Sequence, residues 1–359
     1  MKKNSLILLI ISFFIINNYT NAENWFKAEK EKSGVVKITV SNKPFEVKTI
    51  LGLKFFGKIF GKNELFNKFL KHLKDFNKSK NVNEIHLDFS NTEIKDYHCN
   101  QLRHFEKITE LFFSRCHNIK GSFFKKFLGK FNNIRILVFN ESSIKENYLQ
   151  YIPTAHLEEL DISDNKAITG EFFVAIKNKL TKIKKLDIYN CSIKEKYLTY
   201  LPTINLEELD VSYNIDITGK FLRELKGKLI KLKGLWIDNC SINDEYLKDL
   251  PTTNLKELQV TGRYISGKFL KTLNGKLIKL EQLSLDDCNI EDEKLENVPV
   301  YSLKQLLLRG NKKITGQFLN KVKWPKKTRV KIFFDEYQKE IIKNMLLKQF
   351  SEKINVEFS

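Results

Sequence analysis

The chain has 359 residues, 42% hydrophobic and 12% aromatic, which is enough apolar side chain for a continuous core and excludes a disordered polymer. Its formal net charge of +19 raises nucleic acid or an anionic membrane as a partner. Only 7 of the 62 basic residues are Arg, however, and the chain is also rich in Asn, Ile and Phe, as AT-rich codon usage alone would write it, so the charge by itself establishes no polyanion site.

The first 22 residues read as a cleavable export signal: Lys2 and Lys3, an apolar run from Leu6 to Ile16, then polar residues up to Thr20-Asn21-Ala22. That run is far shorter than the ~20 residues a membrane-spanning helix needs. A secreted chain, cut after Ala22 and without a transmembrane segment, is therefore expected. Residues 23–80 follow as an N-terminal cap, with strands predicted over Val35–Val40 and Phe45–Leu51 and a helix over Glu64–Phe76.

From residue 81 to 320 one pattern recurs about ten times, opened by Val82, Ile108, Ile134, Leu157, Ile183, Leu206, Leu232, Leu255, Leu280 and Leu303. Longer units carry an Ile-Thr-Gly step and then an amphipathic stretch, as in Ile217-Thr218-Gly219 followed by Phe221, Leu222 and Leu225. Thr218 is the expected helix N-cap there. Shorter units run from a Tyr-Leu pair into Leu-Pro, as in Tyr197, Leu198, Leu201 and Pro202, where proline stops a helix from lengthening. Residues 321–359 offer a strand over Val330–Phe334, a helix from about Glu336 to Phe350 and a last strand near Ile354–Phe358, read as a C-terminal cap.

Leu232, Leu235, Ile237, Cys240 and Ile242 carry the pattern most cleanly, and on them each unit resembles the leucine-rich repeat, with the long units similar to the ribonuclease-inhibitor and cysteine-containing types. The resemblance implies an α/β solenoid: a horseshoe with a parallel concave sheet, alternating long helical and short segments on the convex side, and a cap at each end. It also implies recognition of a protein on the concave face. Ser90, Ser142 and Arg263 fall at the Asn/Cys ladder position and are expected to interrupt that ladder.

Strand side chains alternate with a period of two, so Leu235 and Ile237 are expected inside and Trp236 and Asp238 on the concave face. Reading three outward positions per repeat gives nine acidic residues and only Arg115 and Arg309 as full cations. The expected protein-binding face comprises Asp161, Asp187, Tyr189, Asp210, Tyr213, Trp236, Asp238, Asp286 and Asp287, with aromatic anchors among carboxylates. It suits a protein with a basic patch and repels nucleic acid. Asp161, Asp187 and Asp210 are expected in register on neighbouring strands, an arrangement that costs stability through repulsion. Glu158-Glu159, Lys184-Lys185 and Glu207-Glu208 alternate in sign and are expected to pair across strands without any ligand.

Cys116, Cys191, Cys240 and Cys288 fall at ladder positions, the last three two repeats apart and too distant for disulfides, so buried thiols are expected. His98, Cys99, His104, Cys116 and His117 lie close in sequence, but their spacing matches no zinc signature. No nucleophile elbow, phosphate loop or zinc helix is present, so neither an enzyme nor a cofactor is expected. Five cysteines without a disulfide framework in an exported chain suggest a reducing destination such as a host cytosol. The functional expectation is an exported recognition module, an effector or adhesin of a symbiont or parasite. Its alternative is adhesion of a Lys-rich convex face to anionic membrane, glycan or nucleic acid.

Overall fold

A computed structural model of the chain describes residues 26–30, 35–40, 63–127, 130–324, 330–345 and 354–358. The export signal, the strand predicted over Phe45–Leu51 and the end of the helix predicted up to Phe350 lie outside them. The chain divides into two units, residues 1–143 and 144–359.

In the first unit, β1 (Phe26–Lys30) and β2 (Val35–Val40) pair antiparallel, and β2, β3 (Glu84–Asp88), β4 (Ile108–Phe112) and β5 (Ile136–Val138) follow in parallel. The helix α1 (Asn63–Lys78) turns Phe66, Phe69 and Leu73 inward. Phe69 packs edge-on against Phe89, and Phe89, Phe113 and Phe139 stack at 5.6 and 5.0 Å between ring centres. One ring per repeat thus continues the core from strand to strand.

The first repeat corrects its expected phase by two residues. Leu87, not Ile85, is in register with Leu111, and the ladder shifts between Ile85 and His86. Asn91 takes the left-handed backbone (φ 60°) that Arg115 and Glu141 take in the next repeats. Phe89, expected to face outward, is therefore fully buried, and Thr92 replaces Ser90 at the ladder position, its hydroxyl donating to the Phe89 carbonyl at 2.6 Å. A two-residue slip keeps Ile85, His86, Leu87 and Asp88 on their own faces, which is why alternation alone could not detect it.

Among the described residues, the second unit carries nine parallel strands in chain order: β6 (Glu159–Asp161), β7 (Lys185–Asp187), β8 (Glu208–Asp210), β9 (Gly234–Trp236), β10 (Glu257–Gln259), β11 (Gln282–Ser284), β12 (Gln305–Leu307), β13 (Val330–Phe334) and β14 (Ile354–Phe358). Leu160, Leu186, Leu209, Leu235, Leu258, Leu283 and Leu306 share one register line, all buried. This is the parallel-sheet solenoid that the leucine-rich-repeat resemblance implies. Short helices alternate behind it: Phe172–Ala175, Lys220–Glu224, Lys268–Thr272 and Phe318–Lys321 in long repeats, and Glu195–Tyr200, Asp244–Leu247 and Asp292–Leu295 in short ones.

Two side-chain ladders hold the repeats in step. Asn214 donates to the Ile188 and Val211 carbonyls (2.9 and 2.8 Å) and accepts from the Ile193 amide (2.9 Å); Asn311 makes the equivalent bonds four repeats later. In the alternating repeats the thiols of Cys191, Cys240 and Cys288 donate to the carbonyls of Ile162, Val211 and Val260, while an exposed Arg263 stands where the next Asn would fall and interrupts the alternation. Burial pushes all three thiols up to about 12. The folded protein at pH 8 should therefore leave these cysteines unmodified by iodoacetamide, and labelling should appear only in denaturant; rapid native labelling would refute the ladder role.

The second ladder is a set of carboxylates that cap the helix of the following repeat. Thr218 does not cap its helix by accepting: Gly219 stands at the N-cap with φ 97°, and the Thr218 hydroxyl instead donates to Glu195 at 2.6 Å. Glu195 in turn receives the backbone N–H groups of Thr218, Gly219 and Phe221. Glu146, Asp244 and Asp292 repeat the device at Thr169, Ser266 and Thr315.

Candidate outer sheet face

The outer face of the second unit begins with a line of acids. Asp161, Asp187, Asp210 and Trp236 are in register on β6 to β9, one strand spacing apart. Each Asp sends one oxygen back to the turn that follows its strand: Asp161 to the Ser163 amide and hydroxyl (2.9 and 2.6 Å), Asp187 to the Tyr189 amide (3.0 Å) and Asp210 to the Ser212 amide (2.8 Å). Among the described residues, none of the three forms an ion pair with a cation.

The sheet surface is less charged than a count of carboxylates gives. Burial raises all three above the ordinary carboxylate range, and Asp187, between Asp161 and Asp210, rises to about 7. Asp238 also rises to about 7, through burial first and then through the charges of Asp210 and Asp286. Only 6% of Asp238 is exposed, and its Oδ1 has no hydrogen-bond partner. Near neutral pH the face is therefore a partly protonated, titrating surface.

The other expected residues divide. Tyr189 and Tyr213 meet at 5.0 Å between ring centres, with Tyr213 46% exposed. Asp286 is already engaged, receiving both guanidinium nitrogens Nε and Nη2 of Arg309 at 2.9 and 2.6 Å. Asp287 lies against Gly310, whose missing side chain makes room for it: a Cβ there would stand 2.1 Å from Asp287 Oδ1.

Asp164, Asn190, Tyr213, Asn239 and Asp287, the outermost column, are turn residues with positive φ between 49° and 60°. Each strand here is three residues long, and the chain reverses immediately after it. Tyr213 holds a conformation that non-glycine residues adopt at a cost, so its ring is aimed by the turn rather than by the pleat.

Trp236 and its surroundings hold what position counting did not reveal. Gly234 is two residues before Trp236 on the same face, and the indole lies against it: a Cβ on Gly234 would stand 2.4 Å from Cη2 and 2.7 Å from Cζ3. Gly234 is in register with Glu208 on one side and Glu257 on the other. Glu257 lies beside the ring on β10; burial raises its carboxyl above the ordinary range, and the neighbouring Trp236 side chain works against that rise. The signal in the sequence was a glycine where the neighbouring strands carry Glu, two places before the largest side chain.

The paired charges expected on the strand edge form as predicted. Lys184 meets Glu158 at 2.7 Å, Lys185 lies 3.8 and 3.7 Å from Glu159 and Glu208, and Lys233 meets Glu207 at 2.5 Å. These exposed pairs stabilise the register by a few tenths of a kcal/mol each, about the surface norm. Among the described residues, no group of three His, Cys, Asp or Glu is arranged to hold a metal, and no helix is long and apolar enough to cross a membrane. Cys116 is used by the ladder, donating to the Phe89 carbonyl at 2.9 Å, and His98 Nδ1 accepts from the Lys95 amide.

The family pattern described as Leucine Rich repeat matches residues 155–171. No curated protein matches the chain. Among solved structures, the chain is similar to an internalin from Listeria monocytogenes, with 18% identity and a TM-score of 0.53 over 90% of this chain and 86% of that one. It also aligns with a chain of the yeast Rad7 and Elc1 complex (17% identity, TM-score 0.47, 81% and 80% covered). A third alignment is to a chain of the octameric complex of Latrophilin 3, Unc5D and FLRT2 (17% identity, TM-score 0.37, 77% and 70% covered). At these identities the likeness to the internalin concerns the fold.

Proposed function

We propose, from the premise that the chain is a leucine-rich-repeat solenoid, that it is an exported protein-recognition module whose outer sheet face docks a basic protein. The observation that carries this reading is the line Asp161, Asp187, Asp210 and Trp236, in register on four adjacent strands. Structure gains nothing from three carboxylates placed side by side at strand spacing, where repulsion is about 1 kcal/mol in water and more as water is excluded. A cationic partner would relieve it. The Tyr189–Tyr213 pair and the indole of Trp236 supply apolar contact area beside the charges.

The leader-like residues 1–22 support export, and the thiols used as ladder donors rather than as disulfides suit a reducing destination. On that basis we read the chain as a host-directed effector or adhesin of a symbiont or parasite. Capture of binding proteins by the chain lacking residues 1–22, against the double variant Asp187→Lys with Asp210→Lys, tests the site. A bound protein should be lost at least tenfold in the variant; equal capture by both would remove the face from consideration.

A further inference from the structure

We infer that Trp236 is a stacking platform for an arginine side chain of the docked protein, with the guanidinium held between the indole face and the carboxylates of Asp210, Asp238 and Glu257. This deepens, and rests on, the docking reading above. The first observation is steric. Trp236 does not stand out from β9 as an isolated anchor; its six-membered ring lies back over Gly234, in the space a Cβ would fill. Glu257 borders it from the neighbouring strand, in register with the Gly234 that the ring covers. An indole pinned along the sheet presents one face outward and needs no rearrangement before binding.

The second observation is electrostatic. Register puts Asp210 beside Trp236, and Glu208 and Glu257 beside Gly234, so carboxylates border the ring on both sides. Glu208 lies 3.7 Å from Lys185, but among the described residues no cation pairs with Asp210, Asp238 or Glu257. Asp238, next outward along the same strand face, is more than nine-tenths buried with Oδ1 lacking a partner. A buried carboxylate oxygen without a donor is costly and calls for one.

A guanidinium meets all of these at once. It is planar and weakly hydrated, stacks on an indole, and has five N–H donors in a fork that suits carboxylates in two directions. A lysine ammonium would answer the charge but could neither stack nor fork. The preference for Arg over Lys at equal charge is therefore the specific content of the proposal.

The test titrates the folded chain lacking residues 1–22 with hexa-arginine, hexalysine and hexacitrulline peptides, followed by calorimetry and by the Trp236 indole N–H signal in NMR. Hexa-arginine should bind about three- to tenfold more tightly than hexalysine, shift the Trp236 signal, and outcompete the neutral citrulline peptide entirely. Trp236→Leu should erase the arginine preference. Gly234→Ala, which must displace the indole, should do likewise, with circular dichroism and urea unfolding showing that both variants fold. Equal affinity for the two cationic peptides, or an arginine preference that survives both substitutions, overturns the platform. If the preference survives these but binding is lost in Asp187→Lys with Asp210→Lys, the platform falls while the acidic docking face stands; if wild type binds neither peptide, the platform also falls, and capture of a protein partner then judges the docking face separately.

Discussion

Replacing Glu195 by Ala is expected to destabilise the protein by about 3 kcal/mol, read as an earlier urea midpoint with an unchanged slope. Oε1 of Glu195 receives the amides of Gly219 and Phe221 at 2.8 and 3.2 Å, and Oε2 receives the amide and hydroxyl of Thr218 at 3.2 and 2.6 Å. One carboxylate thus satisfies three backbone donors at the start of the Lys220–Glu224 helix and places negative charge where the helix dipole favours it. Charge-assisted bonds contribute roughly 1.5–3 kcal/mol each when buried, and water can replace part of that at this half-buried site. Glu195→Gln keeps the shape and one good acceptor, so about half the loss should remain. A midpoint for Glu195→Ala within about 0.5 kcal/mol of wild type would show that the cap does not hold adjacent repeats together.

That cap shows where sequence reading stops. Local logic assigned the N-cap to Thr218, because a hydroxyl one step before a helix ordinarily accepts from the first turn. The acceptor instead came from Glu195, in the preceding repeat, and the threonine became a donor to it. Nothing adjacent in sequence specifies such a pair. The signal was a long-period one: Glu146, Glu195, Asp244 and Asp292 each precede a Ser/Thr-Gly step by one repeat.

The strands and the buried leucine line were legible because a two-residue period, repeated, leaves no freedom about which side faces in. The same period hid the slip in the first repeat, since Ile85 and Leu87 satisfy the pattern in either phase. Only the pairing of Leu87 with Leu111 and the left-handed Asn91 decide it. Reading outward positions left open the backbone that carries Tyr213 and Asp287: they follow three-residue strands, in turns with positive φ. At the candidate face, the line of Asp161, Asp187 and Asp210 could be foreseen from spacing, but its protonation could not. Nor could the ring of Trp236 lying over Gly234, because both depend on distances across the sheet that a one-dimensional pattern does not contain.

Replacing Asp187 by Asn should stabilise the protein at pH 8, by about 3 kcal/mol, and leave its stability near pH 4 unchanged. The Asp187 carboxyl is pushed up to about 7 by burial and then by Asp161, against an unfolded value near 3.8. Below about pH 4 the folded and unfolded chains both hold the proton, and the site costs nothing. Between pH 4 and 7 the unfolded chain has released it while the folded chain has not, so each pH unit favours unfolding by about 1.4 kcal/mol. Above 7 both forms are ionised and the penalty stays at its full value, reduced from the simple product by the solvent that reaches this half-buried group. Asparagine has no proton to lose, and its Oδ1 can still accept from the Tyr189 amide. Thermal unfolding of the two proteins should therefore diverge steadily from pH 4 to 7 and then run parallel; curves that stay together at pH 8 would mean that Asp187 is ionised at no cost. The same titration sets the strength of docking. As pH rises from 6 to 8 the face gains negative charge at Asp187 and Asp238, and a basic partner returns as binding energy the repulsion that folding alone leaves unrelieved. Affinity for that partner should rise over the pH interval in which the free protein has lost stability.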